Sequence, residues 1–139
     1  MCLDPRPLNK NIKRQHFLIP RVEHLTSELV GMSVYSVMDL KNGFWQMELD
    51  EESVKLTTFM TPWGRRRFNR LPFGISSAPE IFQKKMVQYF GDISGVLVYF
   101  DDVLIMRKNE EDHDRTMEKV LQRARQNNVK FKYNISKKR

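Results

Sequence analysis

The sequence predicts an α+β fold: a mainly antiparallel sheet with two helices packed on one face, in a split β-α-β layout. Three observations predict it. Val96-Leu97-Val98-Tyr99-Phe100 and Val103-Leu104-Ile105 are apolar runs broken by Asp101-Asp102, the pattern of a strand–turn–strand hairpin. Residues 33–40 alternate apolar and small side chains and end on Asp39-Leu40, before the turn chemistry of Lys41-Asn42-Gly43. Two further stretches carry apolar residues at helical spacing, one ahead of the hairpin and one after it.

Taken in order, residues 1–20 are polar and proline-punctuated and read as extended or irregular. Arg21 to Val30 has helical spacing through Val22, Leu25, Leu29 and Val30, and Gly31 stops it. A strand over 33–40 follows. Phe44 to Leu49 alternates Trp45 and Met47 with Gln46 and Glu48, which predicts a second strand. Asp50-Glu51-Glu52-Ser53 is a polar turn or one helical turn. Leu56 to Thr61 and Arg65 to Leu71 then read as a hairpin about the turn Pro62-Trp63-Gly64, with Trp63 fit for plain packing in that loop.

Leu71-Pro72-Phe73-Gly74 opens a loop that feeds a helix. Ser77 is a candidate cap, Pro79 suits the first turn, and Glu80 sits near the positive helix end. Ile81, Phe82, Met86, Tyr89 and Phe90 form its apolar stripe, and Gly91 ends it. The Asp-Asp hairpin covers about 95–106. A last helix runs from Glu110 to about Asn127, with Glu110, Glu111 and Asp112 at its start and Arg123 and Arg125 at its end, matching the macrodipole. Met117, Val120, Leu121 and Ala124 give its buried face.

At 139 residues this is one domain or part of one, and 40% apolar residues is enough for a core. No run is long and apolar enough to span a membrane, and no secretory leader pattern opens the chain. The single cysteine, Cys2, permits no internal disulfide and fits a reducing compartment. His16, His24 and His113 make no zinc pattern and read as surface or packing residues. The formal charge of +7 is unevenly placed. Lys55, Arg65, Arg66, Arg67, Arg70, Lys84 and Lys85 have Glu80 as the only acid among them. The tail from Arg123 to Arg139 has no acid at all. Such a balance favours a polyanionic partner over an acidic one, although solvated charge is the ordinary fate of such runs.

Asp101-Asp102 at a hairpin tip admits two meanings. Asp is a common turn residue. Two anionic groups on a rigid edge also repel each other unless a cation neutralises them, and hard oxygen donors suit Mg²⁺. Pairing of strand 33–40 with the hairpin puts Asp39 at the same edge. Two ions about 3.5–4 Å apart are then within reach of the carboxylates, as in polymerases and nucleases.

Four blocks carry a resemblance that covers nearly the whole chain. They are Asp4-Pro5-Arg6-Pro7-Leu8-Asn9-Lys10, Val37-Met38-Asp39-Leu40-Lys41-Asn42-Gly43-Phe44-Trp45-Gln46, Arg70-Leu71-Pro72-Phe73-Gly74-Ile75-Ser76-Ser77-Ala78-Pro79-Glu80-Ile81-Phe82-Gln83 and Tyr99-Phe100-Asp101-Asp102. In order and spacing the chain resembles the reverse transcriptases of LTR retrotransposons, most closely the gypsy type. The resemblance implies a polymerase palm of ferredoxin-like topology plus part of the fingers. Residues 33–44 and 76–139 would be palm, and 1–32 and 45–75 fingers-like.

By resemblance, Asp39, Asp101 and Asp102 are the catalytic residues of a template-directed DNA polymerase. They would hold two Mg²⁺ ions, with Mn²⁺ a substitute and the Leu40 carbonyl completing a shell. Phe44 matches an aromatic steric gate against a 2′-hydroxyl. Phe73 and Gly74 would lie against the incoming deoxynucleoside triphosphate. Phe73 stands where retroviral enzymes carry glutamine. Tyr99 would touch the primer end, and Arg6 and Asn9 the template strand. The implied partners are an RNA or DNA template, a DNA or tRNA primer, and dNTPs. No membrane is implied, and the family's habit is a cytoplasmic particle or the nucleus rather than secretion.

The match also predicts what is absent from the chain. Basic fingers residues would precede Met1, and the thumb, ribonuclease H and integrase regions would follow Arg139. Phe131 to Arg139 departs from the family's leucine-asparagine and lysine-cysteine pattern. The expectation is a partial or decayed copy whose isolated chain is weak or inactive. Two other classes stay open: a metal-dependent nuclease using the same carboxylates, and a non-catalytic retroelement remnant that only binds nucleic acid.

Overall fold

The computed structural model describes residues 3–14, 16–18 and 22–138. Cys2, Arg21 and Arg139, and the side chain of His24, lie outside the described set. In chain order the elements are α1 (Arg6–Asn11), α2 (Val22–Leu29), β1 (Val34–Leu40), a single 3₁₀ turn (Gly43–Gln46), α3 (Glu51–Leu56), β2 (Phe59–Thr61), β3 (Gly64–Arg66), α4 (Ala78–Phe90), β4 (Val96–Tyr99), β5 (Asp102–Arg107), α5 (Glu110–Gln126) and β6 (Phe131–Lys138).

One four-stranded sheet, in the order β4-β5-β1-β6, organises the chain, and every neighbouring pair is antiparallel. With α4 between β1 and β4, and α5 between β5 and β6, this is the β-α-β-β-α-β arrangement of ferredoxin-like folds. β1 alternates buried and exposed positions, as a sheet with one covered face requires. Met38 and Leu40 point into the core with Val98, Val103 and Ile105. Phe82, Met86 and Phe90 of α4 and Val120 and Ala124 of α5 cover them. The other face carries Val37, Asp39 and Tyr99, none of which is buried.

A smaller cluster of Leu71, Ile75 and Ala78, with Leu8 and Ile12 packed against it, holds the N-terminal segment beside the loop before α4. Phe44 and Met47 touch both clusters and join them.

Several sequence expectations need correction. Residues 6–11 are helical, because Pro7 sits in the first turn, where its missing N–H costs nothing, and Leu8 and Ile12 share a face. The strand expected over 44–49 is a 3₁₀ turn followed by one isolated bridge, Glu48 to Arg70. Asn42 at φ 59° and Gly43 at φ 28° turn the chain before an extended run can start. The polar run at 50 caps a helix: Asp50 Oδ1 accepts the Ser53 N–H at 2.7 Å, so α3 absorbs Val54 and Leu56 and the next strand begins at Phe59. The hairpin partner is shorter than expected, ending at Arg66. Ser77 occupies the cap position of α4 without a capping side-chain bond. Trp63 is 77% exposed rather than packed. Ile81 lies at the edge of the α4 stripe, half-exposed. The buried face of α5 includes His113 and Thr116, with Met117 and Leu121 only partly covered. The tail that departs from the family pattern forms β6 and completes the sheet.

Candidate functional site

Asp39 is the penultimate residue of β1, and its partner across the β1–β5 ladder is Asp102. The neighbouring Leu40 N–H donates to the Asp101 carbonyl at 2.7 Å. Asp39 and the distant pair Asp101-Asp102 therefore share one sheet edge. On the β1–β6 side the register shifts between Met38 and Leu40, which bracket Asp39. Such irregularities re-aim side chains and occur beside active sites.

The hairpin tip is held from below. Phe100 takes φ 50°, a left-handed value that a bulky residue adopts only when its surroundings impose it. The imposing residue is Gln83 of α4, fully buried. Its Oε1 accepts the Phe100 N–H at 2.7 Å, and its Nε2 donates to the Val98 carbonyl at 2.9 Å. Both ends of one amide thus fix the turn that presents Asp101 and Asp102.

Gly43 leaves room for one of those carboxylates. A Cβ at Gly43 would stand 2.5 Å from Asp101 Oδ1, so the carboxylate would have to move to admit it. Asp39 faces Lys132 of β6, whose Nζ lies 2.6 Å from Asp39 Oδ2. The carboxylates share an edge without closing on one point. Among the described residues no three His, Cys, Asp or Glu side chains are grouped to hold a metal ion. The donor chemistry nonetheless fits a hard divalent cation, since the site is all oxygen and already draws an ammonium. Burial, then the Asp39 and Asp102 charges, raise Asp101 above the ordinary carboxylate value, with Lys132 opposing. Burial and Asp39 raise Asp102 likewise, again against Lys132.

The other expected residues lie on the 3₁₀ turn, the loop before α4, the hairpin and α1. Phe44 is half-buried, its ring 5.4 Å from Phe73 and 5.3 Å from Phe82. Phe73 is 60% exposed on the loop before α4, and Tyr99 faces solvent at the hairpin. Gly74, at φ 93°, packs against Pro5, where a Cβ would meet Pro5 Cγ at 3.0 Å. Asn9 holds the loop through its side chain. Its Nδ2 donates to the Gly74 carbonyl at 2.8 Å and its Oδ1 accepts the Ser76 N–H at 2.9 Å. Its amide positions the loop, with one N–H and one oxygen lone pair used in doing so. Arg6 is exposed and paired with Asp4 at 2.8 Å, which holds the Asp4 carboxyl down at about 2.

Gln83, Gly43 and Lys132 were not singled out from the sequence. Gln83 gave one signal, a polar residue beside the apolar stripe of a helix. Lys132 was counted only as part of a basic tail. Gln46 also emerges as a staple: its Oε1 accepts the Lys130 N–H at 2.7 Å while its Nε2 donates to the Lys130 carbonyl at 2.8 Å.

The family model described as reverse transcriptase (RNA-dependent DNA polymerase) matches residues 1–138. The chain belongs to the reverse transcriptase family. This reverse transcriptase chain is 35% identical over 130 residues to the enzymatic polyprotein of cauliflower mosaic virus (strain Strasbourg), covering 93% of the chain and 19% of that protein. It is 35% identical over 133 residues to the retrovirus-related Pol polyprotein from transposon 412 of Drosophila melanogaster, covering 94% and 11%. The chain therefore spans about a fifth or less of these curated relatives. Among solved structures, the foamy viral protease-reverse transcriptase in complex with double-stranded DNA matches with a TM-score of 0.83 at 26% identity, over 92% of this chain and 23% of that one. The same viral enzyme in complex with an RNA/DNA hybrid matches with a TM-score of 0.77 at 27% identity, over 87% and 16%. The fold is that of a reverse transcriptase palm and fingers.

Proposed function

We propose that the chain is the nucleotide-joining part of an RNA-directed DNA polymerase from a retroelement Pol polyprotein. The facing of Asp39 and Asp102, with Asp101 bonded alongside, carries this reading. It supplies what phosphoryl transfer asks of a protein, a fixed set of anionic oxygens on a rigid edge. The gypsy-type assignment rests on the four sequence blocks. We read 33–44 and 76–139 as palm, and 1–32 and 45–75 as fingers-like.

Asp39, Asp101 and Asp102 would hold two Mg²⁺ ions, or Mn²⁺ in their place, with the Leu40 carbonyl as a further donor. When bound, such ions polarise the attacking hydroxyl and neutralise the leaving diphosphate. The chain's own residues do the positioning. Gln83 fixes the height of the Asp101-Asp102 turn. Gly43 lets the Asp101 carboxylate lie against the backbone. Phe44, wedged between Phe73 and Phe82, offers a rigid ring where a sugar bearing a 2′-hydroxyl would collide. Phe73 and Gly74 form the adjoining wall for a dNTP, and Asn9 keeps that wall in place. Tyr99 is exposed at the hairpin where a primer end would come. Lys41, Arg70 and Lys130 line one cleft, with Arg70 paired to Glu48 at 2.9 Å, and the cationic lining suits a template and a DNA or tRNA primer. On the retroelement reading the protein would work in a cytoplasmic particle or in the nucleus.

Primer extension on RNA and DNA templates tests the assignment, using the parent polyprotein with Asp39, Asp101 and Asp102 each replaced by Ala. Extension lost in all three with template binding retained supports it. Mg²⁺-dependent cleavage without dNTPs would indicate a nuclease. Binding unaccompanied by extension in the unmodified parent would leave only a nucleic-acid-binding remnant.

A further inference from the structure

The Lys132–Asp39 pair stands out because the strand carrying Lys132 is anchored with care. Phe131 pairs with Leu40 across the β1–β6 ladder and sets its ring 6.1 Å from that of Phe90. Lys130 is gripped through both backbone groups by Gln46. The Lys41 N–H adds a bond to the Lys130 carbonyl at 2.9 Å. An ammonium is thereby delivered to the acid edge at 2.6 Å from Asp39 Oδ2, and Asp101 and Asp102 lie within its electrostatic reach. Both partners keep an outlet to water, with 53% of the Lys132 side chain and 40% of the Asp39 side chain exposed. The ammonium can swing away without opening a void.

We propose that Lys132 is a tethered counter-ion of the three aspartates, occupying the place of a divalent cation and leaving when one binds. The proposal rests on the metal reading above. An ammonium is a compact cation that only donates hydrogen bonds. A divalent ion needs the same carboxylate lone pairs at about 2.0–2.1 Å for Mg²⁺ and repels the ammonium at that distance. Gathered on one carboxylate, the two cations repel each other, so filling the site disfavours the ammonium contact. With no divalent ion bound, Lys132 keeps like charges together at one edge. With one bound, its departure is an entry cost that raises the ion concentration at which the site fills.

Electron paramagnetic resonance of free Mn²⁺, titrated with the full 139-residue chain, tests this directly. Lys132→Gln is expected to bind Mn²⁺ about fivefold more tightly than the unmodified chain, the upper range for one exposed ion pair. Lys132→Arg, which keeps the charge, is expected to stay close to the unmodified chain. In EDTA, Lys132→Gln should melt lower, and added Mn²⁺ should close the gap. Lys132→Met, retaining the stem without charge, repeats the titration should the Gln variant not fold. Equal Mn²⁺ affinity in the unmodified and Gln chains overturns the counter-ion while leaving the metal reading intact. An Arg variant that binds as tightly as the Gln variant also overturns it. Binding of Mn²⁺ by neither chain overturns both.

Discussion

Asp39 and Asp102 stand directly opposite each other on the two central strands of the sheet. A cross-strand pair of like charges weakens a ladder, by about 0.2–1 kcal/mol. The fold retains the pair at the one edge where the register of β1 is irregular.

Asp102→Asn should therefore stabilise the chain by about 0.5 kcal/mol in the absence of divalent ions. Urea denaturation in EDTA measures it. A loss of stability would show that Asp102 contributes more through contacts than it costs through charge.

The same edge sets a pH dependence. Asp101 and Asp102 are raised in the folded state from 3.8, so the native chain binds protons that the unfolded chain has released. Their contribution is favourable at the acid end and is lost as pH rises from about 3.8 through the raised folded values. Asp4, Asp50 and Asp92, all lowered, act in the opposite sense and lose stability as pH falls below that value. The stability advantage of Asp101→Asn over the unmodified chain should grow with pH across this window and then level off. Denaturation curves at a series of pH values from about 3.5 to 7 check the trend. A constant difference would mean that Asp101 does not titrate differently on folding.

Gln83→Leu should cost about 1–3 kcal/mol, because it leaves the Phe100 N–H and the Val98 carbonyl without partners in a buried place. Hydrogen exchange at the Phe100 amide should accelerate more than exchange at the far end of β5. Uniform acceleration would count against a local clamp.

Gly43→Ala should place a methyl group on Asp101 Oδ1 and strain a backbone at φ 28°. In the parent polyprotein, primer extension should fall by up to about a hundredfold, which a displacement near 1 Å can cost. Template binding should change little. Near-normal extension would mean that Asp101 works from another position.

Phe44→Val should act twice. It removes a ring that joins both core clusters, costing about 2–4 kcal/mol. In the parent enzyme it should also raise ribonucleotide incorporation relative to deoxyribonucleotide. Single-nucleotide extension with matched rNTP and dNTP reads the ratio. An unchanged ratio would reduce Phe44 to a packing residue.

Much of this architecture was legible because its signals are local. The two long helices announced themselves by apolar spacing, and the Asp101-Asp102 hairpin by two apolar runs around a polar pair. The placement of Asp39 followed from one strand ending on an acid. The misread segment 44–49 alternated like a strand. Its backbone was decided instead by left-handed Asn42 and Gly43, and by Phe44 and Met47 having to reach two clusters at once. β6 went unrecognised because its residues are polar and basic, so pairing with β1, not hydrophobic pattern, makes it a strand. Gln83, Asn9 and Lys132 act through partners 15 to 93 positions away, which no local window reveals.

The strand order β4-β5-β1-β6 also fixes a sequence of assembly. A chain emerging from the ribosome carries β1 long before β5 exists to lie against it, and β6 arrives last. Until β5 is made Asp39 has no acidic neighbour, and until β6 follows it has no ammonium. The acidic edge is thus completed only with the last strand, and a copy cut short before β6 carries the acids without their counter-charge.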